Sequence, residues 1–151
     1  MKRRDALKNS AAVLGLLAAA GVLPQAAHAA YNKAAFEAKT MADVLKAMGA
    51  SAPAESKDVT LTAPDIAENG AVVPIGAATT LPNVKQLLIL VEKNPNTMIA
   101  AFTVNEALES NFLTRAKLGQ SSDVYAVAIT NDGKAFFAKK EVKVTLGGCG
   151  G

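Results

Sequence analysis

The sequence predicts a mainly β protein: an antiparallel β-sandwich, preceded by one helix and followed by a short glycine-rich arm. Three observations carry that prediction. Alternating or continuously apolar runs recur about seven times between residues 57 and 146. Turn-forming residues separate them, and no helical stretch between them is long enough to return the chain for a parallel strand. The chain then ends in Gly147-Gly148-Cys149-Gly150-Gly151, a stretch with almost no side chain to pack.

The amino terminus is set apart from this pattern. Lys2, Arg3, Arg4 and Lys8 make a basic head, residues 11–23 an apolar run, and Ala27-His28-Ala29 a small-residue cleavage site. Residues 1–29 therefore read as a removable export signal, with the cut after Ala29. The alternative is a retained anchor, but the apolar run falls short of the ~20 residues that span a bilayer. The adjacent Arg3 and Arg4, followed by Leu7 and Lys8, resemble a twin-arginine signal, with Ala6 where Phe is usual. Such a route delivers folded cargo to the periplasm, and a partner without a signal can travel with it.

Residues 30–49 read as one helix, because Phe36, Met41, Val44, Leu45 and Met48 recur at helical spacing and Gly49 offers a stop. The apolar stripe has two possible uses: packing on the chain's own sheet or docking on a partner. Residues 50–56 read as a linker leading into a sandwich domain over 50–146. Strands are expected at 57–63, at Val72 to Thr79, at 85–93 and from Met98 to Val104. Pro74 lacks a ladder donor, which places the second of these at an edge or a bulge. Leu87-Leu88-Ile89-Leu90-Val91 does not alternate, which predicts burial on both faces. Residues 65–70 read as a turn, and 105–111 as a short helical turn. Further strands are expected at 112–118 and 124–129. Asn131-Asp132-Gly133 is a hairpin signal, and a last strand covers 134–146.

Composition excludes more than it suggests. The chain holds 16 basic and 13 acidic side chains. Four of the basic residues (Lys2, Arg3, Arg4 and Lys8) and one acidic residue (Asp5) lie in the signal, so the rest is formally neutral. No basic stripe with interleaved aromatics marks a nucleic-acid surface, and no polybasic patch marks a membrane surface. The single histidine, His28, lies in the signal. Without imidazole, Ser-His-Asp and Cys-His nucleophiles are excluded within one chain, and the usual zinc patterns fail. No phosphate loop or dinucleotide fingerprint occurs. The carboxylates are scattered; Glu106 and Glu109, three apart, are the nearest to a pair and read as surface charge. No cofactor or metal site is expected.

The one cysteine stands third from the end, between paired glycines. Glycine gives the backbone its widest freedom and leaves the sulfur open to approach. At ~3.3 Å per extended residue, the thiol reaches about 10 Å beyond Leu146. A free thiol of pKa about 8.5 is only a few per cent thiolate near neutrality, and nothing local activates it. Cys149 therefore reads as a tethered attachment point, with Gly147, Gly148, Gly150 and Gly151 giving flexibility and access. Two other readings stand beside it: an incidental residue in a disordered tail, or an intermolecular disulfide in a non-catalytic interaction module.

At this tail the sequence resembles the SoxY family, periplasmic subunits of the thiosulfate-oxidising Sox system. The likeness also runs through Arg3-Arg4, the stretch Ile66-Ala67-Glu68-Asn69-Gly70-Ala71-Val72-Val73-Pro74-Ile75, and Lys93-Asn94-Pro95 leading to Ile99-Ala100-Ala101-Phe102. Asn96-Thr97 departs from a more proline-rich family version. The resemblance implies an immunoglobulin-like sandwich with an N-terminal helical part, paired with a small SoxZ-like β protein. It implies that Cys149 carries sulfur covalently and that the chain itself catalyses nothing. A SoxXA-like haem enzyme would load thiosulfate on the cysteine, a SoxB-like dimanganese hydrolase would release sulfate, and a sulfane dehydrogenase would act on the remaining persulfide.

Overall fold

The computed structural model describes residues 32–105 and 110–145. The expected signal (1–29) and arm (147–151) fall outside them, as do residues 106–109 of the helical turn expected over 105–111, whose last residue, Asn111, instead begins a strand.

Two short helices stand where one was expected. Helix α1 is Lys33–Glu37 and α2 is Met41–Ala47. The break comes from Thr40, which is extended (φ −133°, ψ 155°). Its hydroxyl oxygen accepts from the Asp43 N–H at 3.1 Å and its O–H donates to Asp43 Oδ2 at 2.7 Å, which caps a new helix. The break is also tied to the sheet. The Ala38 carbonyl accepts from the Thr97 N–H at 3.1 Å, and the Lys39 ammonium reaches the Pro95 carbonyl at 2.7 Å. Gly49, at φ +68°, ends α2 where the sequence placed the stop.

Nine strands follow among the described residues: β1 Pro53–Glu55, β2 Val59–Thr62, β3 Ile66–Ala67, β4 Val73–Thr79, β5 Val84–Val91, β6 Met98–Thr103, β7 Asn111–Ala116, β8 Ser122–Thr130 and β9 Ala135–Val144. They form a large sheet in the order β1-β9-β8-β5-β6, with β3 also on β9, and a small sheet in the order β2-β4-β7. Two expectations need correction. The linker over 50–56 contains β1, and the turn over 65–70 contains β3; both pair in parallel with β9. Neither has an alternating pattern, because each is held by main-chain bonds to a distant strand rather than by a buried face.

Pro74 lies in β4, the middle strand of the small sheet, yet its surroundings are locally those of an edge. It stands opposite Arg115 of β7, while β2 reaches along β4 only to Gly76. The missing donor therefore costs no ladder bond to β2.

The large sheet is buried on both faces, as the Leu87–Val91 run predicted. Leu87, Ile89 and Val91 of β5, with Val124, Ala126 and Ala128 of β8, pack against Val73 and Ile75 of the small sheet. Leu88 and Leu90, with Val127 and Ile129, pack against Ala35, Val44 and Leu45 of the helices. The helical stripe is thus used inside the chain. No helix among the described residues is long and apolar enough to cross a membrane.

At the β8–β9 hairpin, Gly133 takes φ +81° and the Thr130 N–H donates to the Lys134 carbonyl at 2.9 Å. The Thr130 hydroxyl donates to Asp132, and Lys134 lies 2.9 Å from its other oxygen. These bonds, the hydroxyl first, pull the Asp132 carboxyl from 3.8 to about 2. A carboxyl depressed in the folded state stabilises it above the ordinary pKa, and that stabilisation is lost as pH falls from about 4 through 2. Thermal melts of Asp132→Asn are expected to show a lower midpoint than the parent at pH 6 and a smaller further drop between pH 4 and pH 2.

Candidate functional site: the pole at the end of the last strand

Cys149, the four glycines around it, and Arg3 and Arg4 lie outside the described residues. What the structure defines is the root from which the cysteine segment leaves. Strand β9 ends at Val144, and Thr145 is the last described residue. Its final residues are held on both sides. On one side the Lys143 N–H donates to the Asp65 carbonyl at 2.9 Å and the Thr145 N–H to the Ala67 carbonyl at 3.2 Å. On the other, the Val144 N–H donates to Ser121 Oγ at 2.9 Å. The Lys140 ammonium adds bonds of 2.7 Å to the Ala63 carbonyl and 2.8 Å to Asp65 Oδ1. Hydrogen bonding to Lys140, then its charge, lowers the Asp65 carboxyl pKa.

Three loops close round this root. In the β3–β4 loop, Asn69 Oδ1 accepts from the Ala71 N–H at 2.9 Å, and Gly70 lies against the loop after β7. The Leu118 N–H donates to the Gly70 carbonyl at 2.7 Å. A Cβ on Gly70 would stand 2.4 Å from the Leu118 carbonyl oxygen and 2.8 Å from Val144 Cγ1. Only glycine fits between these neighbours. In the β5–β6 loop, Asn94 Nδ2 donates to the Lys117 carbonyl at 2.7 Å, and its Oδ1 accepts from the Gly119 N–H at 3.3 Å. Ser122 Oγ accepts from the Lys93 N–H at 3.0 Å. Sequence reasoning singled out none of Ser121, Ser122 or Asn94 as site residues. Gly70 and Asn94 carried a local signal, as turn residues, but their partners lie far along the chain.

Chemically this pole is a support. Among the described residues no group of three or more His, Cys, Asp or Glu side chains could hold a metal ion. Tyr125 is a firm phenol: burial first, then the charges of Glu92 and Asp123, push it up to about 12. A groove of about 470 Å³, lined by Leu81, Pro82, Asn83, Asn131, Asp132 and Phe136, opens at the opposite pole, beside the β8–β9 hairpin. It is remote from the root, because β9 separates hairpin and root by its whole length. The expected carboxylates Glu106 and Glu109 lie outside the described residues.

Near the root, Ile66 and Val72 are each 55% exposed. On the outer face of the small sheet, Leu113 is 75% exposed and lies over Gly76, 3.5 Å from where a Cβ would stand. Pro74 shares this face, and Arg115 is its one charge along β7. Helices cover the corresponding face of the large sheet; nothing among the described residues covers this one.

Two helices over one face of a sheet, a second sheet over the other, and a last strand clamped as far as Thr145 define an immunoglobulin-like β-sandwich. The family model described as sulfur oxidation protein SoxY matches residues 44–149. The chain belongs to that family, and the matched stretch runs to Cys149 itself. Among solved structures, the chain is similar to the sulfur carrier protein SoxY from Chlorobium limicola f thiosulfatophilum, with 31% identity and a TM-score of 0.64. That match covers 71% of this chain and 97% of the other. Superoxide reductase (neelaredoxin) from Ignicoccus hospitalis is similar at 20% identity and a TM-score of 0.52, over 60% of this chain and 82% of that one; this likeness is of fold alone. No curated protein matches. The protein is thus a SoxY-type component of sulfur oxidation.

The close fit at Gly70 gives a test of the support. Gly70→Ala forces Leu118 and Val144 apart, an overpacking that typically costs about 1–3 kcal/mol. Urea unfolding is expected to show that loss, with faster amide exchange at Val144 and Thr145, whereas alanine at Gly119, which meets nothing within 4 Å, should be close to neutral.

Proposed function

We propose that Cys149 is the covalent attachment point for sulfur intermediates during thiosulfate oxidation, and that the chain presents them to partner enzymes without turning them over itself. One observation carries the reading. The family match extends to the chain's only cysteine, and that cysteine stands four residues beyond Thr145, the last clamped residue after β9. The firm root supports it, because a carrier needs a fixed base and a reachable sulfur. At ~3.3 Å per residue, four residues allow the sulfur about 13 Å of reach from Thr145.

The chemistry balances on one sulfur. The Cys149 thiolate and thiosulfate join through a new S–S bond as two electrons leave to a SoxXA-like haem enzyme, giving a cysteine S-thiosulfonate. Water, at a SoxB-like dimanganese hydrolase, then cleaves the terminal sulfone bond; sulfate and two protons leave, and a persulfide stays on Cys149. A sulfane dehydrogenase oxidises that remaining sulfur. The chain supplies the attachment atom and its positioning, and holds no cofactor. The work takes place in the periplasm, after export through the Arg3-Arg4 signal and removal of residues 1–29.

The uncovered outer face of the small sheet supports the reading of a standing SoxZ-like β partner. Leu113 is a large apolar side chain left in water on a nearly uncharged face. A sheet laid on it would bury Leu113 and Pro74 and leave the arm's pole free.

Two measurements test this reading. Intact mass after incubation with thiosulfate and the oxidising partner should show the thiosulfonate adduct, then the persulfide after the hydrolase. Cys149→Ser should carry neither; adducts that survive it would place the attachment elsewhere, and stable reducible dimers without any adduct would leave only a disulfide link. Separately, Leu113→Asp should keep the parent's circular dichroism while weakening capture of the β partner at least about tenfold, since central apolar contacts commonly exceed 1 kcal/mol. Unchanged capture would remove the partner from this face.

A further inference from the structure

The geometry points to a small-molecule site at the break between α1 and α2: a cleft lined by Lys39, Thr40, Met41, Glu92, Thr97 and Tyr125 that takes a small zwitterion, an amino group and an acid group joined by a short carbon chain. The cleft has a volume of about 170 Å³ and lies on the helix-covered face of the large sheet. It exists because the helix is broken there. Thr40 is extended, so no continuous helical turn closes the space between the Lys39–Met41 segment and the sheet.

One atom marks the cleft as incomplete. Thr97 is 1% exposed, and its hydroxyl is the one buried side-chain polar atom with no partner among the described residues. Its main chain is fully used. The Thr97 N–H donates to the Ala38 carbonyl at 3.1 Å, and the Thr97 carbonyl accepts from the Val91 N–H at 2.8 Å. The residue is thus held between the end of α1 and the end of β5. Buried hydroxyls are normally paired, with protein or with a bound molecule, because an unpaired one keeps its full desolvation cost. A single water, with its ~30 Å³ share of liquid volume, would pair the hydroxyl and leave most of the cleft empty.

The charges of the lining select the ligand. On the helix side, the Lys39 ammonium donates to the Pro95 carbonyl at 2.7 Å and to Asn96 Oδ1 at 2.6 Å. Those bonds use two of its three donors and leave the third for an acid group. On the sheet side stands the Glu92 carboxylate, 3.4 Å from the Tyr125 hydroxyl that donates to it. That bond is long, and Glu92 has no ion pair among the described residues. Tyr125 stays a phenol, pushed up to about 12 by burial first and then by the charges of Glu92 and Asp123, so this wall is negative. A simple anion would be repelled by Glu92 and a simple amine by Lys39. A molecule with both charges answers both walls. Its acid group accepts from Lys39 and the Thr97 hydroxyl, its ammonium donates to Glu92 and the Tyr125 oxygen, and the carbons between them lie against Met41. The volume restricts that chain to a few carbons. The inference does not rest on the carrier role of Cys149.

The test uses isotope-labelled, purified protein with Cys149→Ser, which removes disulfide chemistry. Glycine and β-alanine are the probes, and acetate and methylammonium carry one charge each. Titration followed by nuclear magnetic resonance is expected to give saturable shifts at the Thr97 amide and the Met41 methyl, with millimolar dissociation constants for at least one probe. The single-charge molecules are expected to bind at least about tenfold more weakly, since each lacks one set of charge-assisted bonds. Thr97→Val keeps the shape and deletes the unpaired hydroxyl, so it should melt no earlier than the parent yet bind the probe about three- to tenfold more weakly. Glu92→Gln changes an exposed charge only and should weaken binding about tenfold. No saturable shift with either probe, acetate or methylammonium binding as tightly as the zwitterions, or binding unchanged by both substitutions would each overturn the inference.

Discussion

Strands β5 and β8 are apolar on both faces, and the layers of the molecule follow from that. Leu87, Ile89 and Val91 point one way from β5 and Leu88 and Leu90 the other, and all five are fully buried. Burying such a side chain is worth roughly 1.5–3 kcal/mol, so neither face can be left to water. One face takes the small sheet and the other takes α1 and α2. The helices are short, at five and seven residues, and too short to persist alone. They are held by the sheet they cover, through Val44 and Leu45 below and the Ala38 and Lys39 bonds to the β5–β6 loop at the break.

That arrangement fixes β9, and β9 fixes the pole at Thr145. The strand pairs with β8 from Ala135 to Val142 and so inherits the rigidity of the doubly buried centre. Beyond Val142 it leaves β8, and single bonds take over: Ser121 on one side, Asp65 and Ala67 on the other. Residues from loops far apart in sequence meet at one strand end. Tyr125 is held as a phenol and Asp65 and Asp132 as carboxylates, so none of them titrates near neutrality.

Sequence period revealed most of the sandwich because most strands have a face to bury. Leu87–Val91 declared its double burial, and Asn131-Asp132-Gly133 its hairpin, through local chemistry alone. Where the reading fell short, the deciding contact was distant. Pro53–Glu55 and Ile66–Ala67 show no alternation and become strands only because β9 offers an open edge some 80 residues away in the order of the chain for the first pair and nearly as far for the second. The helix break was legible in principle, since Thr40 three residues before Asp43 is a capping signal; the apolar spacing across it obscured the signal. The cysteine stood out at once as the chain's single thiol. Its supports did not, because Ser121 and Gly70 are ordinary loop residues until Val144 and Leu118 are brought beside them.

Two surfaces of the sandwich remain distinct once these layers are in place. The pole at Thr145 is bounded by the loops that hold Gly70, Asn94 and Ser121. The outer face of β2-β4-β7 carries Leu113 and Pro74. Because the strands run between the poles, whatever lies on the small sheet contacts a side of the molecule and leaves its end clear. A carrier served by several active sites needs this separation. If its standing contacts shared the pole, each visit of the sulfur to an enzyme would first have to break one of them. On the proposed reading the partner lies on a side and presentation uses the end, so the strength of the first sets no limit on the rate of the second.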